Sequence, residues 1–362
     1  MTSEFTDKNT LMPQPTLIIY TGGTIGMEKN AQGIYTATAG FEALAKRTIA
    51  ASIWAQMPAH DYLEIKPAID SADMTPMIWQ QLADLIIEKY ADYDSFIILH
   101  GTDTMAYSAS MLSFLLGGID KPVILTGAQI PLIEPCSDGA TNLLVALQLA
   151  ANYKIPEVCI YFANTLFRGN RASKISTSAM IAFESANYPM LAAFENQIKC
   201  FPNRCLPAET PTFLATTDKQ RIKSLHLDKL QIAVIYLTPA MPCELIHAMI
   251  DAHVNGLVLV SYGSGNVGSH NTPLIQALQT AHEHGIVTVN VSQCSGGHVS
   301  HQYAAAQPLI RAGVVNGEDM TIEAAVTKLY YLSAVYGRDS HKIKEKCQQN
   351  LRGELTPPQS NC

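Results

Sequence analysis

Short continuous apolar runs recur along the chain, and each ends in a turn rich in glycine or hydroxyl side chains. The first, Thr16-Leu-Ile-Ile-Tyr20, predicts a strand buried on both faces, with Thr21-Gly-Gly-Thr-Ile-Gly26 as the turn behind it. Thr75-Pro76 marks a helix start, with the hydroxyl as N-cap and proline at the first helical position. Trp79, Leu82, Ile86 and Tyr90 follow at helical spacing. Phe96–Leu99 is a second buried strand ending in His100-Gly-Thr-Asp-Thr104. Behind it Met105, Ala109, Leu112 and Leu116 share a helix face that stops at Gly117-Gly118. Val123–Leu125 is a third strand, a helix lies near 141–152, and Val158–Phe162 is a fourth strand.

The alternation weakens between 199 and 229, a polar stretch with Pro202, Pro207 and Pro211, and then resumes. Strands at 231–237, 256–261 and 286–290 are interleaved with helices at 243–254 and 272–284, and a last helix lies near 320–336. Thr272-Pro273 repeats the capping signal. Alternating strands and helices imply parallel sheets covered on both faces. The expected fold is α/β: two three-layer α/β domains, a larger N-terminal one with a mostly parallel sheet and a smaller C-terminal one with a parallel sheet. The expected boundaries are a flexible tail at 1–15, a catalytic domain at 16–198, a linker at 199–229 and a second domain at 230–362.

Composition narrows the function. Of 362 residues, 48% are hydrophobic and 15% charged, enough apolar material for sizeable cores. No apolar run reaches the roughly 18 residues of a membrane span, and Glu4, Asp7 and Lys8 interrupt the N-terminus where a signal peptide needs an apolar stretch. A cytoplasmic location is expected. The eight cysteines are scattered without ligand spacing, so neither a disulfide framework nor a zinc site is indicated. A net charge of −7 disfavours nucleic acid and anionic membranes as partners and leaves small molecules.

In open parallel sheets, ligands bind beyond the carboxyl ends of the strands. That rule selects the loops Thr21–Met27 and His100–Thr104, both of which set hydroxyls directly after a buried strand. Thr24 and Thr102 are candidate nucleophiles of equal standing, and Asp103 is a carboxylate beside the second. A threonine hydroxyl needs a base, and Lys174, in the loop Arg168–Lys174 after the fourth strand, falls on the same side. Each residue has a plainer use: turn chemistry for the glycine loop, a helix cap for Asp103, a surface charge for Lys174. The glycine spacing fits neither a dinucleotide fingerprint nor a P-loop.

Three segments, Tyr20-Thr-Gly-Gly-Thr-Ile-Gly-Met27, Asp70-Ser-Ala-Asp-Met-Thr-Pro76 and Leu99-His-Gly-Thr-Asp-Thr-Met-Ala-Tyr107, together resemble the bacterial L-asparaginase family, in particular its cytoplasmic type I branch. Thr126–Pro131, Ser137–Gly139, Arg168–Arg171, Ser261–Gly263 and Asn350–Pro357 extend the likeness over almost the whole chain. The resemblance implies hydrolysis of L-asparagine to L-aspartate and ammonia. Thr24 would be the nucleophile that forms an acyl-enzyme, and Thr102, Asp103 and Lys174 a second group relaying a proton. Asp103 would also take the substrate ammonium, Asp70 and Ser71 the α-carboxylate, and Ala128 would give main-chain contacts near the leaving amide. No cofactor or metal is implied. Assembly as a homodimer or homotetramer is, with Asn266 a candidate contact.

The sequence departs from the family in three places. Tyr35, matched to the lid tyrosine, is shifted by one position. Ala72 stands where secreted relatives carry glutamine. At Val260 a valine replaces the arginine of a regulatory asparagine site, although Ser173 and Cys294 match positions lining that site. Competing expectations are a glutamine-preferring amidohydrolase, a non-catalytic amino-acid-binding homologue, and the amidase subunit of a tRNA-dependent amidotransferase. The last is disfavoured by the acidic charge and by the mere fifteen residues before the first strand.

Overall fold

In the computed structural model, which describes residues 14–211, 222, 224–268, 271–300 and 306–357, side chains of one strand alternate between two apolar layers. Strand β1 (Thr16–Gly22) is buried throughout. Leu17 and Ile19 join a cluster with Leu82, Ile86 and Leu112, whereas Ile18 and Tyr20 join Phe41, Leu143 and Leu147 on the other face. The strand reads as a continuous apolar run because helices cover both sides.

The hairpin β2 (Met27–Lys29) and β3 (Tyr35–Ala37) follows, then β4 (His60–Ile69), β5 (Ser95–Leu99), β6 (Val123–Thr126), β7 (Val158–Phe162) and β8 (Thr165–Arg168). Two short strands, β9 (Ser173–Lys174) and β10 (Phe183–Glu184), pair with each other, and β11 (Ala192–Phe194) and β12 (Ile198–Cys200) complete the first half. The large sheet has eight strands in the order β12-β11-β8-β7-β6-β5-β1-β4. It is parallel from β4 to β7 and antiparallel from β7 to β12. The smaller sheet is wholly parallel: β13 (Ile232–Tyr236), β14 (Gly256–Ser261), β15 (Val287–Ser292) and β16 (Val315–Asn316), in chain order.

Several details differ from the sequence reading. Strand β4 mixes charges with apolar residues and contains Pro67; as an edge strand it has one side free of the ladder, which tolerates both. Thr75 is the N-cap of the Pro76–Lys89 helix, but its hydroxyl makes no capping bond. At the Thr272–Glu283 helix Asn271, not Thr272, caps, accepting from the Leu274 amide. The long helix begins at Ile322 with Thr321 as its cap, and a further helix, Ser340–Cys347, follows it. Residues 1–13 of the expected tail and 212–221 and 223 of the expected linker lie outside the described residues.

Buried charge joins the two sheets. Arg171, 2% exposed, holds Asp319 through both terminal nitrogens at 2.9 and 2.7 Å and donates to the Glu354 carbonyl at 2.8 Å. Arg168 pairs with Glu157 at 2.6 Å and reaches the Gly353 carbonyl, while Asn170 donates to the Arg352 carbonyl. The Arg168–Arg171 motif thus grips the segment 350–356. Within that segment Glu354 meets Lys328 at 2.5 Å, and neither side chain is exposed. Removing one partner of such a pair leaves an uncompensated buried charge. Glu354→Gln is expected to lower unfolding stability by about 3–5 kcal/mol in urea titration, and an unchanged midpoint would contradict that account.

Candidate active site

Four loops meet at one edge of the large sheet because neighbouring parallel strands deliver their ends to the same side. The loops pack so closely that the contacting glycines have no room for a side chain. Gly22 and Gly23 have φ of 128° and 84°, and a Cβ on Gly23 would lie 2.4 Å from the Gly101 amide nitrogen. A Cβ on Gly101 would lie 2.5 Å from Ser71 Oγ, and one on Gly127 would lie 2.3 Å from the His100 carbonyl oxygen. This stacking collects Thr24, Ser71, the Thr102-Asp103 pair and Ala128 in one place.

Lys174 completes the group. Its Nζ donates to Thr102 Oγ1 at 2.7 Å and to Asp103 Oδ1 at 2.6 Å. The β9–β10 pairing carries Lys174 inward, with Phe183 opposite it, and Ser173 donates to Glu323 Oε2 at 2.9 Å. Thr102 is buried, Lys174 half-buried, and the Asp103 side chain 61% exposed. Asp103 therefore pairs with the lysine instead of capping the Met105–Leu115 helix, whose N-cap is Thr104. Thr24 opens a short 3-10 turn, half-buried, and its hydroxyl has no hydrogen-bond partner among the described residues. The buried Thr16 sits at the far end of β1, its hydroxyl bonded to Ser95 at 2.8 Å.

The remaining predicted residues fall around this core. Asp70 caps the turn that begins at Ser71, accepting from the Ala72 amide, and the Ser71 carbonyl accepts from Thr104 Oγ1 at 2.7 Å. Ala128 is buried and Ala72 exposed. Tyr35 is exposed at the start of β3, and its hydroxyl donates to Glu134 Oε1 at 2.6 Å. Lys29, opposite it in the hairpin, also binds Glu134, at 3.0 Å. The Tyr35 hydroxyl and Lys29 hold the Glu134 carboxyl below its ordinary range. Glu134 as the tyrosine's partner has no signal in local sequence, being 99 residues away.

Cys294 is exposed in the loop after β15. Ser173 and Cys294 share no described contact, but Asn187, close after β10, binds the carbonyls of Ser295 and Gly297 beside Cys294. Val260 is fully buried and packs with Val258, Val289 and Val291. Asn266 is exposed, forms an isolated bridge with Tyr262, and turns its side chain onto the Gly268 amide. Among the described residues no group of His, Cys, Asp and Glu has the geometry to hold a metal ion, and no helix is long and apolar enough to cross a membrane.

One residue without a role in the sequence reading stands directly behind the site. His100 is fully buried, its Nδ1 2.6 Å from the Gly101 carbonyl and its Nε2 2.9 Å from Ser108 Oγ. Burial lowers its pKa to about 4, so the ring is neutral.

Comparison with known proteins agrees over nearly the whole chain. The family profile "Asparaginase, N-terminal" matches residues 16–205, and "Glutaminase/Asparaginase C-terminal domain" matches 231–346. L-asparaginase 1 of Escherichia coli K12 is 42% identical over 341 residues, covering 94% of this chain and 97% of that protein. The human 60 kDa lysophospholipase is 39% identical over 363 residues, covering 94% of this chain but 61% of its own. Among solved structures, L-asparaginase I of Vibrio cholerae superposes with a TM-score of 0.81 at 39% identity, covering 95% of this chain and 99% of its own.

A buried neutral histidine makes the fold acid-sensitive. The unfolded chain binds a proton below pH 6.5 and the folded one only near pH 4. This contribution to stability is therefore complete above pH 6.5 and lost as the pH falls from 6.5 towards 4, by about 3 kcal/mol in all. Denaturant unfolding at pH 7 and pH 4.5 is expected to show a smaller acid loss in His100→Gln than in the parent; equal losses would exclude His100 as the cause.

Proposed function

Because the chain belongs to the bacterial-type L-asparaginase family, on its type I side, we propose that it hydrolyses L-asparagine to L-aspartate and ammonia through an acyl-enzyme on Thr24. The observation that carries the reading is the lysine bound to both a threonine hydroxyl and a carboxylate, on loops packed against the turn that bears an unengaged threonine. A binding protein has no need of a lysine held against a threonine hydroxyl.

In the first half-reaction the Thr24 oxygen bonds to the side-chain carbonyl carbon and the carbon–nitrogen bond breaks. The Thr24 proton passes through Thr102 and Lys174 to the departing nitrogen, which leaves as ammonia. In the second, water gives its hydroxyl to the acyl carbon and a proton back to Thr24. The substrate is a zwitterion, which sets the rest of the site. Asp103 faces its ammonium, and the Ser71 hydroxyl with the Asp70 backbone faces its α-carboxylate. Ala128 offers main-chain groups near the amide, and Tyr35 acts as the lid residue. The reading includes a cytoplasmic homodimer or homotetramer. Val234 and Tyr236, exposed on the edge strand β13, supply apolar surface for a second copy.

Ammonia release on adding asparagine, measured beside glutamine, tests the activity. Thr24→Ala and Thr102→Val are each expected to lower kcat by about 10³-fold or more while asparagine still binds calorimetrically. Near-normal turnover in Thr102→Val would remove it from the relay. A valine locked in an apolar cluster cannot bind a carboxylate, so activation by asparagine at a second site is weakened or absent. The dependence of rate on asparagine is expected to be hyperbolic; a sigmoidal curve would contradict this.

A further inference from the structure

The peptide between His100 and Gly101 is enclosed on three sides. Gly23 packs against the Gly101 amide, Ser71 against the Gly101 Cα, and Gly127 against the His100 carbonyl oxygen. The His100 amide is itself bonded to the Thr126 carbonyl at 2.9 Å. The next peptide plane, whose carbonyl belongs to Gly101 and whose nitrogen belongs to Thr102, carries the relay threonine. The imidazole of His100 reaches that carbonyl from behind.

The tautomer of His100 follows from its partners. A carbonyl oxygen only accepts, so Nδ1 carries the proton and donates to Gly101. The Trp79 indole donates to Ser108 Oγ at 2.9 Å, which leaves the serine proton free to point at Nε2. Both contacts are satisfied by the neutral ring with its proton on Nδ1. Trp79, Ser108, His100 and the Gly101 carbonyl thus form one directed chain running from the core to the loop of Thr102. Burial disfavours the charged ring, which preserves this order.

We propose that His100 is a positioning residue for the reaction: its Nδ1–H, oriented by Ser108 and Trp79, fixes the Gly101–Thr102 peptide and so the Thr102 hydroxyl against Lys174. The assignment rests on the reading of Thr102 as part of the relay. Asp103 keeps its own tie to Lys174, so loss of the His100 bond acts mainly on kcat and less on KM.

Two substitutions separate positioning from bulk packing. In His100→Asn the amide nitrogen occupies the place of Nδ1 and still reaches the Gly101 carbonyl. In His100→Gln the longer side chain reaches Ser108 instead and gives up that donor. His100→Asn is expected to stay within about threefold of the parent kcat, and His100→Gln to fall by about 10- to 100-fold with little change in KM. Equal kcat values in two folded variants, whether both high or both low, would overturn the assignment. Should His100→Gln fail to fold, Ser108→Ala serves. It frees the Nε2 end and is expected to lower kcat several-fold at unchanged KM, and parent-like kcat would overturn the proposal. Thr102→Val assayed in parallel tells the failures apart. Near-normal turnover there removes the relay itself, whereas collapse there with indistinguishable His100 variants removes only the role of His100.

Discussion

The site depends on loops that approach one another more closely than a side chain at the contacting glycines allows. Gly23 lies on Gly101, Gly101 on Ser71 and Gly127 on the His100 carbonyl, each at a separation that a methyl group would violate. At Gly22 and Gly23 the positive φ adds a second demand that only glycine meets at low cost. Two threonines from strands adjacent in the sheet can therefore serve one substrate. Were the loops spaced by ordinary side chains, Thr24 and Thr102 would belong to separate surfaces.

Charge then sets the roles within that enclosure. Lys174 binds Thr102 and Asp103 from a two-residue strand that has little structure of its own to hold it. Its supports come from elsewhere in the chain. Ser173 is tied to Glu323 at the start of the long C-terminal helix, and Arg171, three residues before the lysine, is tied to Asp319. The second sheet contributes no residue to the proposed relay, yet its helix and loops orient the strand on which the relay lysine sits. A neutral contact joins the same two halves: Ser110 and Thr327 share a buried hydrogen bond at 2.7 Å.

The apolar strands were legible because burial on both faces leaves an unbroken apolar run, and the turn after each run located Thr24, Thr102 and Asp103. The convergence of Lys174 with Thr102 was not legible from local pattern, since 72 residues separate them; resemblance supplied it. Strand β4 escaped because an edge strand carries mixed polarity, and β8, β11 and β12 because they are short and antiparallel. The cap was misplaced by one residue at Thr272, and at Thr75 the cap position was right but the hydroxyl makes no bond, because proline at the first turn fixes where a helix starts without deciding which side chain closes it. His100 was visible as a letter within a motif. Its two partners, one a neighbouring carbonyl and one a helix serine, exist only once the strand and helix have packed.

The grip of Arg168, Asn170 and Arg171 on residues 350–356 bears on the order in which the protein can mature during synthesis. The strands of the large sheet are all present once residue 200 has been made, but the layer on one face still awaits Ile222, Leu225, Leu227 and the helix that carries Tyr330. Its most deeply buried cations cannot be fully partnered at that stage, because Asp319 and the carbonyls of Arg352, Gly353 and Glu354 do not yet exist. A nascent chain of this protein therefore carries a half-finished catalytic lobe, with water standing in for its final partners, until the last turn of the molecule closes over it.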